Sequence, residues 1–198
     1  INFAVSGKFC TFALQYFLKR RMENKDITAT EEPVVLLENV AISHDKEPLL
    51  KDVNMRLDKG EFVYLIGKSG AGKTSLLRSL YADLPIDSGK AEVCGFDLMK
   101  MRNRKVPRLR RKIGMIFQDF RLLSDRSVYS NMEFVLRATG WRKRDEIRTR
   151  IDETLASVGI ADLRDAMPLR LSEGQQQRVG IARALVGNPD LILADEPT

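Results

Sequence analysis

Apolar residues recur along the chain in two patterns, one typical of strands and the other typical of helices. Short runs rich in apolar and β-branched residues predict strands at 34–37, 53–57, 62–66, 113–117 and 191–194. Segment 53–57 alternates apolar with polar residues, so it predicts a strand with one exposed face. The unbroken run 62–66 is typical of a buried parallel strand.

Helical periodicity follows several of these strands. Leucines after residue 72 predict a helix directly behind the strand 62–66. Apolar residues spaced by about one turn predict an amphipathic helix over 142–158, with Gly159 at its C-terminal end. A further helix is predicted over 173–186. Because strands and helices alternate, the sequence predicts an α/β fold with a mostly parallel sheet.

Composition narrows the class of protein. The 198 residues suffice for one domain with its own core, and 43% hydrophobic with 30% charged residues excludes a disordered chain. Two cysteines make no disulfide framework, and a single histidine excludes a site built on several imidazoles. The net charge of +6 owes much to residues 1–21, which hold four basic and no acidic residues. It is therefore poor evidence for nucleic-acid binding, and no nucleic-acid partner is expected.

Residues 1–33 are predicted to be an N-terminal extension, because the first apolar strand begins only at Val34. The apolar run 9–18 is about half of the ~20 residues that cross a bilayer, and it lacks the flanks of a signal peptide. One interpretation is an interfacial helix with an aromatic face. The favoured one is that translation starts at Met22, so that residues 1–21 are extra and dispensable for folding.

A glycine-rich segment follows the predicted strand 62–66. Its sequence, Gly67-Lys68-Ser69-Gly70-Ala71-Gly72-Lys73-Thr74, matches the phosphate-loop pattern G-x-x-x-x-G-K-[ST]. Backbone N–H groups of such a loop surround a phosphate, and the following helix contributes the positive end of its dipole. We expect Lys73 to reach the β- and γ-phosphates and the Thr74 hydroxyl to ligate Mg²⁺, with Ser75 also at the nucleotide. The alternative is a chance glycine-rich turn.

Two carboxylates, Asp195 and Glu196, close the last predicted strand. They lie at the carboxyl end of the sheet, where open α/β folds bind their ligands. Asp195 is suited to hold Mg²⁺, and Glu196 is suited to polarise an attacking water. Apolar strands often end in acids, so the pair indicates hydrolysis only in combination with the phosphate loop.

A third motif opens the helix predicted over 173–186. Its sequence, Leu171-Ser172-Glu173-Gly174-Gln175, resembles the L-S-G-G-Q signature of the ATP-binding-cassette (ABC) ATPases, with Glu173 in place of the first glycine. The resemblance covers residues 34–198, one domain that these residues include up to just after Asp195 and Glu196. It implies a P-loop NTPase of ABC type, with an N-terminal antiparallel β portion and a helical subdomain.

The resemblance also implies roles for the signature. Ser172, Gly174 and Gln175 would contact the γ-phosphate of ATP bound to the other subunit of a homodimer. Ser172 as a plain helix N-cap is the alternative, and it is compatible with that role. The cofactors implied are ATP and Mg²⁺.

Further roles come from the resemblance alone. Gln118 matches the family's glutamine that senses Mg²⁺, contributes to catalysis and couples to a membrane partner. His44 lies about where the family has an aromatic residue that stacks on adenine, although a surface loop position fits it equally well. Cys94 is predicted to be a core residue in a strand.

Within the family, segments 113–131 and 178–184 are most similar to a subgroup that acts in bacterial cell division. This similarity implies an ATPase subunit on the cytoplasmic face of the plasma membrane with an integral membrane partner. The ATPases of lipoprotein and macrolide export are close relatives, and a soluble family member acting on ribosomes or DNA is a further alternative. An unrelated P-loop kinase or GTPase would have no signature helix.

A basic segment and the family motifs that follow the catalytic glutamate lead to two further expectations. Segment 100–112 has eight basic residues and no acidic residue, which indicates either a solvated charged face or a contact to anionic lipid headgroups, the first being commoner. The family's D-loop and switch histidine follow the catalytic glutamate and lie outside these 198 residues. We therefore expect the chain as given to be nearly inactive as an ATPase, since His44 cannot replace that histidine.

Overall fold

The structure, a computed structural model, describes residues 2–4, 32–44 and 47–195. The predictions for the apolar run 9–18, for Met22 and for Glu196 lie outside the described residues. The described chain divides into two compact units, one with residues 2–4 and 32–112 and the other with residues 113–195.

The described residues contain eight strands and five α-helices. The strands are β1 (Asn2–Ala4), β2 (Val35–His44), β3 (Glu47–Leu57), β4 (Tyr64–Ile66), β5 (Ser88–Val93), β6 (Phe96–Asp97), β7 (Ile113–Ile116) and β8 (Leu191–Ala194). The helices are α1 (Lys73–Leu80), α2 (Val106–Arg110), α3 (Val128–Ala138), α4 (Arg144–Ser157) and α5 (Glu173–Val186). Short 3₁₀ turns lie at Asn103–Lys105, Ala161–Leu163 and Pro168–Arg170.

An antiparallel sheet in the order β3-β2-β5-β6 forms most of the first unit. The buried side chains of its central strand are apolar residues at most 2% exposed, Val35, Leu37, Val40 and Ile42. On β3, Val53 and Leu57 are buried while Asn54 and Arg56 are exposed, which confirms the predicted half-exposed strand. The sheet is the antiparallel portion expected near the N-terminus.

Strand β4 differs from the prediction of a buried parallel strand over 62–66. It has three residues, pairs antiparallel with β1, and leaves Ile66 55% exposed. A parallel strand is buried when neighbours cover both its edges and layers cover both its faces. In the described part of the chain, β1 is the one strand paired with β4. Strand β1 precedes Val34, where the sequence analysis placed the first strand, and three residues are too few to show a period. The division into an extension over 1–33 and a domain from residue 34 stays a prediction.

The helical prediction after the glycine-rich segment is confirmed, because α1 buries Leu76, Leu77 and Leu80. Cys94 is buried as predicted, but it lies in the turn between β5 and β6 with φ +50° rather than inside a strand. A tight turn joins those two strands, and Cys94 takes the left-handed backbone conformation there.

The basic segment 100–112 serves two purposes in the structure. Arg110 turns inward, where its guanidinium donates hydrogen bonds of 3.1 Å to the carbonyls of Tyr81 and Ala82 and lies 4.6 Å from the Tyr81 ring centroid. Lys100 pairs with Asp97 at 3.4 Å. The remaining basic side chains of the segment are exposed. The solvated and lipid-contacting interpretations of this exposed face both remain predictions.

Helices α3, α4 and α5 pack together in the second unit, and α5 also packs on β7. Strands β7 and β8 pair in parallel with Ile113 opposite Leu191, which confirms both predicted strands and their orientation. Helix α4 confirms the helix predicted over 142–158, with Gly159 at φ +70° just after it, and α5 has the predicted bounds 173–186.

Helix α3 is an element that the sequence analysis did not predict. The sequence does contain a helical pattern at this place, because Val128, Met132 and Leu136 recur every four residues. All three are fully buried. Ser127 precedes them and accepts a hydrogen bond from the Ser130 N–H at 3.3 Å, as an N-cap does. Within the described ranges, every helix is too short or too polar to cross a membrane.

Candidate nucleotide-binding site

The glycine-rich loop 67–72 joins β4 to α1 as a closed turn. The Ala71 N–H donates to the Lys68 carbonyl at 3.1 Å, and Gly70 and Gly72 have φ of +77° and +84°. A Cβ at Gly72 would lie 2.9 Å from the Cδ2 atom of Leu50, which packs against the loop. The backbone of the loop is thus fixed in a conformation that favours glycine.

Helix α1 begins without a side-chain cap. Its N-cap is Gly72, which provides no side-chain cap, and no acidic residue lies in the first turn. The first N–H groups of a helix have no partner within the helix and carry a partial positive charge. This end of α1 therefore suits an anion.

Lys73 reinforces that positive end. Its Nζ donates to the carbonyls of Gly67 at 3.0 Å and Lys68 at 3.1 Å, so the ammonium lies over the loop. The loop tip at 68–70 and the side chain of Thr74 are exposed. A phosphate group fits these donors, and a hydroxyl in the first helical turn fits the predicted oxygen ligand for Mg²⁺.

Gln118 and Asp195 both follow strands of the second unit. Strands β7 and β8 run parallel with Ile116 opposite Ala194, and the Asp195 N–H donates to the Ile116 carbonyl at 3.1 Å. Both residues therefore follow the carboxyl ends of neighbouring strands, and the predicted place of Asp195 at the end of its strand is confirmed. In the described residues, no group of three or more acidic, histidine or cysteine side chains could hold a metal. A Mg²⁺ ion here would need further oxygen ligands, such as those of a nucleotide.

The signature segment begins α5 with a capping box. The Ser172 Oγ accepts from the Gln175 N–H at 3.3 Å, and the Gln175 Oε1 accepts from the Ser172 N–H at 2.9 Å. The N-cap role of Ser172 is thereby confirmed. A Cβ at Gly174 would meet no atom within 4 Å, so the helix end beside it is open. The contacts of Ser172, Gly174 and Gln175 with the γ-phosphate of ATP bound to a second copy stay a prediction.

The turn after Gln118 holds residues that the sequence analysis missed. Arg183 on α5 donates from its two Nη atoms to the carbonyls of Phe120 and Arg121. The Arg121 guanidinium lies 4.4 Å from the Phe117 ring centroid and 3.1 Å from Asp119. No periodicity links positions 62 and 63 residues apart, so these contacts have no local signature in the sequence.

His44 is exposed at the end of β2, on the surface of the antiparallel sheet. That place agrees with the surface alternative of the sequence analysis. Adenine stacking by His44 remains a prediction.

A glycine-rich phosphate loop between a strand and a helix is typical of P-loop nucleotide-binding proteins. The model of the ABC transporter family matches residues 50–198, so the chain belongs to the ABC transporter family. The matched residues include the phosphate loop, the signature segment and Asp195.

Several curated relatives carry the name cell division ATP-binding protein FtsE. The chain is 48% identical to FtsE of Mycobacterium tuberculosis over 151 residues, which are 76% of this chain and 65% of that protein. It is 44% identical to FtsE of Streptococcus pneumoniae over 75% of this chain and 64% of that protein. For Escherichia coli FtsE the identity is 46%, over 75% and 67%. The chain thus spans about two thirds of the length of these relatives.

Solved structures support the same fold. The ATP-binding cassette MJ0796, in a dimer bound to ADP and Pi, aligns with a TM-score of 0.74 at 35% identity, covering 83% of this chain and 74% of that one. CbiO1 of Clostridium perfringens, part of the cbiONQ transporter complex, aligns with a TM-score of 0.75 at 31% identity, covering 83% and 66%. The predicted α/β fold of ABC type is confirmed.

Proposed function

We propose that this chain belongs to the ATP-binding and ATP-hydrolysing subunit of a membrane-associated complex of bacterial cell division, as FtsE does. The observation that carries the proposal is the 44–48% identity to FtsE proteins over about three quarters of the chain. The similarity supports cell division over the export ATPases that the sequence also resembles.

In this proposal the phosphate loop, residues 67–74, and Ser75 bind the phosphates of ATP. Thr74, Gln118 and Asp195 hold Mg²⁺, which neutralises charge on the phosphates when bound. Glu196 accepts a proton from the attacking water. The uncapped start of α1 and the ammonium of Lys73 support the phosphate contacts.

The proposed assembly is a homodimer with a membrane partner at the cytoplasmic face of the inner membrane. Ser172, Gly174 and Gln175 contact ATP held by the second copy, and an integral membrane protein of FtsX type receives the motion. The dimer of the MJ0796 cassette, which shares the fold, supports the pairing of two copies.

Purification from bacterial membranes tests the partner. A tagged protein solubilised in mild detergent should retain an integral membrane protein of FtsX type, and Lys73→Ala should weaken the ATP-dependent part of that retention. Recovery of ribosomes or DNA in place of a membrane protein would favour the soluble alternative.

A second candidate is the ATPase subunit of an ABC transporter. The chain is 40% identical to the methionine import ATP-binding protein MetN of Carboxydothermus hydrogenoformans over 168 residues, which are 83% of this chain and 50% of that protein. Stimulation of ATP turnover by a transported solute would favour this function over cell division.

Glu196→Gln tests the catalytic assignment. The amide cannot accept a proton from water, so in a full-length version that includes the switch histidine the variant should bind ATP, hydrolyse it very slowly and accumulate as an ATP-bound dimer in sizing experiments. Hydrolysis at the parent rate would show that Glu196 is not the base. Ser172→Arg should instead leave ATP binding by the monomer intact and prevent dimer formation.

A further inference from the structure

The turn that follows Gln118 has an unusual backbone. Phe120 and Arg121 are consecutive residues with φ of +54° and +46°, and neither is a glycine. The Phe120 N–H donates to the Phe117 carbonyl at 3.2 Å, which closes the turn. Side chains disfavour this left-handed conformation, and it persists only where neighbouring structure holds it in place.

Arg183 supplies contacts that hold the turn at Phe120 and Arg121 in this left-handed conformation. The guanidinium donates to the two successive carbonyls, those of Phe120 and Arg121, from its two terminal nitrogens. A planar fork of donors can bridge two acceptors at once, whereas a lysine ammonium presents a single point charge. The contact is therefore specific for arginine.

Helix α5 presents Arg183 from a fixed position. A Cβ at Gly114 on β7 would overlap the carbonyl oxygen of Ala184, so helix and strand pack backbone against backbone. The Phe120 side chain covers Gly180 of the same helix, at 3.9 Å from an added Cβ. Strand β7, its turn and the middle of α5 thus form one packed body.

We infer that Arg183 is a positioning residue, which fixes Gln118 relative to the signature helix by holding the backbone of the turn. The inference rests on the proposed function, in which Gln118 contacts Mg²⁺ and Ser172 contacts the nucleotide of a second copy. Arg183 lies eleven residues after Ser172 in α5, about 16 Å along the axis at ~1.5 Å per residue. Movement of the signature end would therefore reach Gln118 through Arg183.

Hydrogen exchange tests the structural step. In Arg183→Ala, the amides of 118–122 should exchange at least tenfold faster, while those of α3 and α4 keep their protection. Arg148→Ala is the matched control, because Arg148 is an exposed arginine on α4 whose 3.8 Å ion pair with Asp152 involves no residue of the turn. Unchanged exchange of 118–122 in folded Arg183→Ala would overturn the inference.

Magnesium titration tests the functional step. Arg183→Ala should raise the Mg²⁺ concentration for half-maximal ATP binding several-fold, with ATP affinity in EDTA unchanged. Arg183→Lys should restore part of the loss. In a Gln118→Ala background the Arg183 substitution should add nothing, because its effect passes through Gln118. A full additional effect there would show that Arg183 acts by another route.

The two arms separate failure of the inference from failure of the proposed function. If the parent protein binds no Mg²⁺-ATP, the proposed function is wrong, and hydrogen exchange still decides whether Arg183 holds the turn. If Arg183→Ala does not fold, Arg183→Lys takes its place in both arms, and its amides at 118–122 must exchange faster than those of both the parent and the Arg148→Ala control. Parent-like exchange in folded Arg183→Lys would then overturn the inference.

Discussion

Two helices of this chain begin at segments proposed to contact phosphate, and their N-termini are built in opposite ways. Helix α1 starts at Gly72, with no side chain capping its first turn. Helix α5 starts at Ser172, whose side chain and that of Gln175 cap each other's backbone N–H groups. The first end leaves its donors for a ligand, while the second satisfies two of them within the protein.

The difference indicates two modes of phosphate contact. At α1 the backbone and the Lys73 ammonium offer fixed positive charge, so the loop is suited to bind a phosphate by itself. At α5 the Ser172 Oγ already accepts a hydrogen bond, and its own hydrogen is still available to be donated. The α5 end is thus stable without ligand and suited to a supplementary contact, as the proposed dimer requires.

The largest effect should follow the loss of the α1 ammonium. Lys73→Ala removes a charged donor whose hydrogen bond contributes about 1.5–3 kcal/mol, so ATP affinity should fall roughly 10- to 150-fold for each bond lost. Calorimetric titration with ATP measures the change, and Lys51→Ala, an exposed lysine on β3, is the control. Equal affinity in Lys73→Ala and parent would contradict the assignment of the phosphate loop.

The comparison of the two helix N-termini also shows which features can be predicted from the sequence. The bounds of α5 were predicted because its period, its serine N-cap and the following Gly187-Asn188-Pro189 all agree. The phosphate loop was predicted from a local pattern between a strand and a helix. Both features depend on residues close together in the chain, where spacing carries the information.

Contacts between residues far apart in the chain were not predicted, and the reason is physical. The pairing of β4 with β1 joins residues about 60 positions apart, and a run of apolar residues specifies burial rather than a partner. The contacts of Arg183 with the turn at 120–121 are of the same kind. Helix α3 is different, since its apolar period and its serine N-cap are both local and suffice to predict a helix.

A smaller effect should come from the glycines of the loop. Both Gly70→Ala and Gly72→Ala place a side chain at φ near +80°, which costs about 1–2 kcal/mol of unfolding free energy. Gly72→Ala should cost more, because its Cβ would also press on Leu50 at 2.9 Å, whereas nothing lies within 4 Å of one at Gly70. Urea denaturation gives the two values. Equal losses would show that the Leu50 side chain yields without cost.

The smallest effect should be at the α5 cap, where the ligand is not needed for stability. Ser172→Ala removes the side-chain acceptor for the Gln175 N–H and should lower the free energy of unfolding by about 1 kcal/mol. Ser172→Gly, which keeps a favourable N-cap backbone, should lose only a few tenths of a kcal/mol in urea denaturation. ATP affinity of the monomer should stay at the parent value in both variants, because the phosphate loop is untouched. A fall in monomer affinity comparable to that of Lys73→Ala would remove the distinction between the two helix ends, since Ser172 would then act on nucleotide bound by its own chain.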